Sequence, residues 1–142
     1  MLLSKRHVEP RVLLIEDAEE TQELSRLALE SQACHVVAVS SAEAALGLLN
    51  AGERFDLLFT DVQLGGISGI EAANRVLEHL PDLPILVTSG MDQHSVLPRL
   101  RAGIHFLPKP YGMSELLDAI RLCFRHAADA ALMPPPATAS AA

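Results

Sequence analysis

The sequence predicts an α/β fold of the doubly wound, three-layer class, in which helices cover both faces of a five-stranded parallel sheet. From Arg11 onward, short apolar runs alternate with amphipathic stretches five times, which is the pattern of repeated βα units. The apolar runs are continuous, as expected for parallel strands that are buried on both faces. With right-handed crossovers, such a sheet binds its ligands at the carboxyl ends of the strands.

The strands are predicted from these runs in chain order. They are VLLIE at 12–16, CHVVAV at 34–39, DLLFT at 56–60, PILVT at 84–88 and IHFLP at 104–108. Because each run is too short for a helix of ordinary length and is followed by an amphipathic stretch, we interpret all five as strands of one sheet.

The first and last helices are predicted from apolar residues at helical spacing. In the first helix the apolar stripe is formed by Leu24, Leu27 and Ala28. In the last helix it is formed by Leu116, Leu117, Ile120, Phe124 and Ala127. We expect both stripes to pack on the sheet.

The second and third helices are predicted from their start signals. Ser40 with Glu43, and Ser68 with Glu71, fit the S-x-x-E capping box, one at the start of each helix. The fourth helix contains Pro98, which removes a helical hydrogen bond unless the helix begins only at about residue 97. We therefore expect a shortened or displaced fourth helix.

Composition limits the domain organisation and the classes of function. The 142 residues, 49% of them hydrophobic, suffice for one core. We divide the chain into an extension at 1–8, a domain at 9–128 and a Pro- and Ala-rich tail at 129–142. We expect the tail to be disordered from about residue 133. A net charge of −7 argues against nucleic-acid binding. No apolar run approaches the length of a membrane span, so we expect a cytoplasmic protein. The two cysteines do not have the spacing of metal ligands, so we expect Cys34 and Cys123 to be packing residues.

Acidic and basic side chains follow the predicted strands. Glu16 and Asp17 follow the first strand, Asp61 the third and Lys109 the fifth, while the fourth ends near Thr88. If these strands are neighbours, three carboxylates face one crevice, and their repulsion calls for a cation. Carboxylate oxygens favour Mg²⁺, and no cluster of His or Cys indicates zinc.

In combination these residues resemble the receiver domain of response regulators, over roughly residues 9–128. The motifs that carry the resemblance are IED at 15–17, TDVQLGGISG at 60–69, VTSG at 87–90 and FLPKP at 106–110. The resemblance implies a flavodoxin-like sheet of strand order 2-1-3-4-5. It also implies a place in two-component signalling or a phosphorelay, as a phosphoprotein that catalyses only its own phosphorylation and dephosphorylation and is otherwise not an enzyme.

The resemblance assigns a role to each matching residue of the crevice. Asp61 corresponds to the phospho-acceptor, and Lys109 to the conserved cation of the family. Asp17, Asp61 and the backbone carbonyl of Gln63 correspond to ligands of Mg²⁺, or of Mn²⁺, and Glu16 to the holder of a metal-bound water. Thr88 and Phe106 correspond to the switch hydroxyl and the switch aromatic residue. Pro110, after Lys109, is a candidate for a cis peptide bond.

The resemblance also implies the partners. The phosphoryl donor is a sensor histidine kinase or a histidine phosphotransfer protein. The output partner is a downstream protein or a second copy, bound through the fourth helix, fifth strand and fifth helix. On that face we single out Leu97, Leu100, His105 and Tyr111. Neither nucleic acid nor membrane is expected as a partner. Gly65 departs from the family pattern, because proline is usual there, and it predicts a looser loop after the acceptor.

Two alternatives stay open at this point. One is a receiver-like interaction module that is never phosphorylated, which fold alone does not exclude. The other is a magnesium-dependent phosphatase of the haloacid-dehalogenase kind. That family has a second acid two residues after its nucleophile, where this sequence has Gln63, and the chain has no segment for a cap domain.

Overall fold

The computed structural model describes residues 9–132, and among them the side chains of residues 9–126. Five parallel strands form one sheet in the order β2-β1-β3-β4-β5. The strands are β1 (Arg11–Ile15), β2 (His35–Val39), β3 (Leu57–Asp61), β4 (Ile85–Ser89) and β5 (His105–Pro108). The predicted doubly wound sheet, its strand order included, is confirmed.

Five helices alternate with the strands. They are α1 (Glu19–Glu30), α2 (Ala42–Asn50), α3 (Gly69–His79), α4 (Gln93–Val96) and α5 (Met113–Leu132), with a 3₁₀ turn (Leu97–Arg99) directly after α4. Among residues 9–132, no helix is both long enough and apolar enough to cross a bilayer.

The side chains of each strand alternate between two apolar layers. Leu14, Phe59 and Leu86 belong to a core cluster that includes Leu29 of α1 and Ile120 of α5. The neighbouring strand residues belong to a second cluster with α2, α3 and α4, whose members include Leu13, Leu58, Val87, Val76 and Val96. The continuous apolar runs of the sequence are therefore explained by two buried faces.

The predicted strand boundaries are off by about one residue. The first four strands each begin or end within one residue of the predicted limits, and β5 begins at His105 rather than at 104. For the site the difference that matters lies in β3, because Asp61 is the last residue of the strand and not the first residue after it. Asp61 is thereby fixed in the sheet ladder, opposite Thr88.

The prediction for α1 is partly wrong. Ala28 is buried, but Leu24 and Leu27 are 65% and 52% exposed, and the buried residues beside Ala28 are Ser25 and Leu29. The predicted stripe and the stripe that is buried both have helical spacing, so periodicity alone could not show which of them faces the sheet.

The α2 capping box is wrong in register, and the α3 cap is confirmed. The N-cap of α2 is Ser41 rather than Ser40, and its hydroxyl accepts the Ala44 N–H at 3.1 Å. The hydroxyl of Ser68 accepts the Glu71 N–H at 3.1 Å at the start of α3.

The expected shortening of the fourth helix is confirmed, although its position is not. The helix spans one turn, Gln93–Val96, and ends before residue 97 instead of beginning there. Pro98 lies within the 3₁₀ turn that follows, where its missing N–H costs no α-helical bond. Val96 is fully buried and joins this short segment to the second apolar cluster.

The last helix extends further than predicted. In α5, Leu116 and Ile120 are buried and Leu117 and Phe124 are partly buried, as expected, and Cys123 joins them. The Ala127 side chain lies outside the described side chains. Because α5 continues to Leu132, residues 129–132 belong to the helix and not to the predicted tail. The predicted extension at 1–8 and residues 133–142 lie outside the described residues.

Cys34 and Cys123 are both buried and unbonded to each other, as predicted. Burial raises the pKa of the Cys123 thiol to about 12. A thiol with so high a pKa carries almost no thiolate at neutral pH, so this residue acts in packing.

His105 provides a test of the packing between β5 and α5. Its half-buried ring lies with its centroid 5.0 Å from that of His126, and burial, reinforced by the charge of His126, lowers the pKa of His105 below 6.5. The His105 ring therefore binds a proton at higher pH in the unfolded chain than in the folded chain. The contribution of His105 to stability is complete above pH 6.5, and it is lost as the pH falls through the lowered pKa of the folded state.

We expect an NMR titration to give His105 a pKa below 6.5, and His126→Asn to raise it only partway, because burial is the larger cause. A complete return to the ordinary value in His126→Asn would show that charge, and not burial, controls this group.

Candidate functional site

Strand alternation brings the predicted site residues to one corner of the molecule. Glu16, directly after β1, and Asp61, in β3, have the same parity as the strand residues that face α1 and α5. Thr88 lies opposite Asp61 in the parallel ladder between β3 and β4. These side chains therefore meet at the carboxyl edge of the sheet, where a doubly wound fold binds its ligands.

Three carboxylates gather at this edge. Glu16, Asp17 and Asp61 each place an oxygen within 4.8 Å of the other two. Glu16 and Asp61 are buried, and Asp17 is exposed. Burial raises the pKa of Glu16, and the charges of Asp61 and Asp17 raise it further, against the opposing effects of the Ala18 N–H and Lys109. Burial and mutual repulsion together therefore disfavour the ionised form of Glu16 in this cluster.

Lys109 partly neutralises the cluster. Its Nζ donates to Asp61 Oδ2 at 3.0 Å and lies 3.8 Å from Glu16 Oε1. Burial acts to lower the pKa of Lys109, but the hydrogen bond to Asp61 and the charges of Asp61 and Glu16 outweigh it, so this pKa is raised. One ammonium group against three carboxylates leaves the site with a negative formal charge.

The donor set of the cluster fits a hard divalent cation. Carboxylate oxygens that converge within 4.8 Å are ligands suited to Mg²⁺ or Mn²⁺, and the remaining negative charge favours either ion. Gln63 lies beside the cluster, because its N–H donates to Asp61 Oδ1 at 3.3 Å. The role of its carbonyl stays a prediction.

Thr88 carries a buried hydroxyl without a protein partner. The residue is 2% exposed, and among the described residues its Oγ1 is the buried side-chain atom that makes no hydrogen bond. A buried hydroxyl of this kind is costly unless a water or a ligand satisfies it. Because Thr88 faces the same edge as Asp61, it is placed to donate to an oxygen bound there.

The predicted switch pair, Thr88 and Phe106, is divided between the two faces of the sheet. Phe106 is half-buried, lies opposite Val87 and packs in the cluster on the α2–α4 side. Thr88 lies opposite Leu107, which belongs to the cluster on the α1–α5 side. Because the two side chains lie on opposite faces, a movement of Thr88 would reach Phe106 through the backbone at the end of β4.

The loops around the site are closed by backbone bonds across the strand ends. The N–H of Lys109 donates to Ser89 O at 2.9 Å, and that of Val62 to Thr88 O at 2.9 Å. The peptide bond between Lys109 and Pro110 is cis, as the sequence suggested.

The acceptor loop, residues 62–68 between β3 and α3, depends on a glycine at its far end. Gly69 N–H donates to Val62 O at 2.9 Å, and a Cβ on Gly69 would lie 1.8 Å from Asp61 O. That neighbour is strand backbone and cannot move without displacing Asp61 itself.

We expect Gly69→Ala to lower the free energy of unfolding by about 3 kcal/mol through this overlap. Gly47→Ala, in α2, is the matched control. Beyond the adjacent residues and backbone of its own helix, no atom of the described residues lies within 4 Å of its added Cβ, so alanine should stabilise by roughly 0.5–1 kcal/mol. Urea denaturation measures both changes, and equal effects of the two substitutions would contradict this account of Gly69.

Sequence reasoning missed one residue of this region. Glu43 was assigned to a capping box, but its Oε2 instead accepts the N–H of Ile67 in the acceptor loop at 3.1 Å. Val62 and Leu64 pack in the second apolar cluster, but the consecutive glycines 65 and 66 carry no side chain that could hold the middle of the loop, and they were the available signal that another element must hold it.

Comparison with known proteins follows the same motifs. Residues 12–121 match the model of the response regulator receiver domain. Response regulator MprA of Mycolicibacterium vanbaalenii is 32% identical over 117 residues, which cover 81% of this chain and 50% of that protein. Response regulator protein FleR of Pseudomonas aeruginosa is 34% identical over 119 residues, covering 82% of this chain and 24% of that protein. The chain thus matches half or less of the length of these relatives.

A solved structure with the same fold is that of response regulator protein TrrA from Thermotoga maritima, in complex with Mg²⁺-BeF. The TM-score is 0.74 at 21% identity, and the alignment covers 80% of this chain and 98% of that one.

Proposed function

The chain belongs to the response regulator receiver domain family of two-component signalling, and on that premise we propose that Asp61 accepts a phosphoryl group and that the modified domain signals to a protein partner. The donor is a sensor histidine kinase or a histidine phosphotransfer protein, and the acidic cluster binds Mg²⁺ or Mn²⁺ for the transfer. We further infer a cytoplasmic location, where reduced thiols such as Cys34 and Cys123 persist. Beyond this self-modification we assign the domain no enzymatic activity.

The observation that carries the proposal is the set of groups converging on Asp61. Its carboxylate ends a buried strand beside the ammonium of Lys109 at 3.0 Å and opposite the unpartnered hydroxyl of Thr88. An ammonium and a hydroxyl donor that flank one carboxylate suit a group with several anionic oxygens. A never-phosphorylated module would need neither the buried orphan hydroxyl nor the repulsion among three acids.

The transfer itself requires little covalent chemistry from the protein. An Asp61 oxygen forms a bond to phosphorus while the bond between phosphorus and the donor atom breaks, and the leaving group keeps that electron pair. A bound Mg²⁺ supplies charge neutralisation for the phosphoryl oxygens. Lys109 binds one of these oxygens and Thr88 donates to another, which holds the phosphoryl group in place.

Acetyl phosphate with Mg²⁺ tests the proposal directly. The intact protein should gain the mass of one phosphoryl group, and EDTA should prevent the gain because the acidic cluster repels an uncompensated phosphoryl donor. A wild-type protein that stays unlabelled with both acetyl phosphate and its kinase would favour the unphosphorylated module.

The output surface is proposed on the face formed by α4, β5 and α5, where a downstream protein or a second copy binds. Phe106 shares the second apolar cluster with Val96 of α4, so a repacking of the Phe106 ring would be felt by α4. Leu97 is 45% exposed on this face, and Leu100 packs against the same cluster. A shift of one side chain and one short helix is sufficient for a change in affinity of about ten- to a hundredfold.

We expect Mg²⁺ and beryllofluoride, a mimic of the phosphoryl group like that bound in TrrA, to shift the backbone amide resonances of Phe106, Leu97 and Leu100. Tyr111, which we predicted on this face, lies instead beside Ser25 of α1. The Asp61→Asn variant under the same conditions is the control. Shifts that stop at Asp61, Thr88 and Lys109 would contradict this output route and favour a phosphate relay.

A further inference from the structure

We propose that Glu43, on α2, is a positioning residue that holds the acceptor loop in place and thereby raises the affinity of the acidic cluster for Mg²⁺. The inference rests on the proposed function, because it assumes that the cluster and the loop bind the metal together. Glu43 itself contacts neither the metal nor the phosphoryl group. It acts on the loop that does.

The contact is a single hydrogen bond between two elements. Glu43 Oε2 accepts the Ile67 N–H at 3.1 Å, from the first turn of α2 to the far half of the loop. Among the hydrogen bonds of the described residues, it is the bond that ties residues 64–67 to any other helix or strand. The near half of the loop is held separately, by Gln63 N–H on Asp61 Oδ1.

The loop backbone lies directly against the carboxylate. Gly66 has a φ of +81°, and a Cβ at this position would lie 2.7 Å from Glu43 Oε2. The Ile67 N–H, which stabilises the ionised carboxylate, lowers the pKa of Glu43. Glycine at 66 therefore supplies both the left-handed backbone and the space that this bond requires.

The far half of the loop needs this bond, because Val62 and Leu64 pack in the second apolar cluster but residues 65–67 do not. Gly65 and Gly66 are adjacent, and a Cβ on Gly65 would meet no atom of residues 9–126 within 4 Å. Gln63, two residues before this pair, provides the carbonyl that the resemblance to the receiver family assigns to the metal. Groups that orient a metal ligand from outside the coordination shell typically change metal affinity by about tenfold or more.

The test compares Glu43→Ala with Glu43→Gln in the full chain, with Mg²⁺ affinity measured by calorimetry. We expect Glu43→Ala to weaken Mg²⁺ binding about tenfold. Glu43→Gln should stay within about twofold of the wild type, since its amide oxygen accepts the same bond from Ile67. Loss in both variants alike would overturn the inference, because it would indicate the charge of Glu43 and not its hydrogen bond.

Hydrogen exchange at the Ile67 amide shows whether the bond is lost. Fast exchange in Glu43→Ala together with unchanged Mg²⁺ affinity would overturn the inference. The two adjacent glycines give an independent pair of variants: Gly66→Ala should weaken Mg²⁺ binding as Glu43→Ala does, whereas Gly65→Ala should not. Equal effects of the glycine variants would also count against it.

Failure of the proposed function gives a different result. If the wild type accepts no phosphoryl group but its Mg²⁺ affinity still depends on Glu43, the phosphorylation proposal fails and the positioning role stands.

Discussion

Asp61→Asn should gain no phosphoryl group from acetyl phosphate and Mg²⁺ under conditions that label the wild type. The substitution preserves the size of a side chain that is 5% exposed, but an amide lacks the nucleophilic oxygen pair of a carboxylate. Labelling should therefore fall to background and not merely slow down. Intact-protein mass spectrometry measures the loss.

The matched control is Asp82→Asn, which changes an exposed aspartate outside the site and should leave labelling unchanged. Hydroxylamine provides a chemical check, because it cleaves an acyl phosphate and leaves a phosphoserine or phosphothreonine intact. Persistent labelling of Asp61→Asn at the wild-type level would remove the central claim. A folded Asp61→Asn protein, verified by its circular dichroism, excludes unfolding as the cause of a loss.

The sheet and the core of the site could be predicted from the sequence because both depend on strand ends. A run that is apolar at every position has only one stable location, between two layers of helices, and this fixes β1 and β3 to within one residue. Once the strands are parallel, the residues that follow them meet at one edge. Glu16, Asp61 and Lys109 were brought together by that rule and by the strand order that the family resemblance implied.

The failed predictions share a different physical cause. Leu24 and Leu27 have the same helical spacing as the residues that are buried in α1, so the choice between faces was made by packing against the sheet. At α2 two serines stand in succession, and capping by Ser41 instead of Ser40 frees the carboxylate of Glu43 for a loop 24 residues away. Contacts over such distances depend on the relative placement of helices, which no local signal encodes.

Replacing Asp17 should separate metal binding from stability. In the wild type, a tenfold excess of Mg²⁺ over its Kd raises the free energy of unfolding by about 1.4 kcal/mol if the unfolded chain binds no metal. This corresponds to a rise in Tm of roughly 5 °C. In Asp17→Asn the Mg²⁺-dependent rise should nearly vanish, and phosphorylation should vanish with it, because a charged ligand of the proposed site is gone.

Without metal, the same variant should be as stable as the wild type or more stable. Asp17 is exposed, and its negative charge adds to the burial and the charge of Asp61 that raise the pKa of Glu16. Removing that charge relieves repulsion while disturbing no buried contact, so stability and function should change in opposite directions.

Differential scanning calorimetry with and without Mg²⁺, at ionic strength matched with NaCl, measures both effects. An equal Mg²⁺ shift in wild type and Asp17→Asn, or no shift in the wild type, would contradict a magnesium site that includes Asp17. A metal-free Asp17→Asn protein clearly less stable than the wild type would show that Asp17 supports the fold, and that repulsion among the three carboxylates is not what limits metal-free stability.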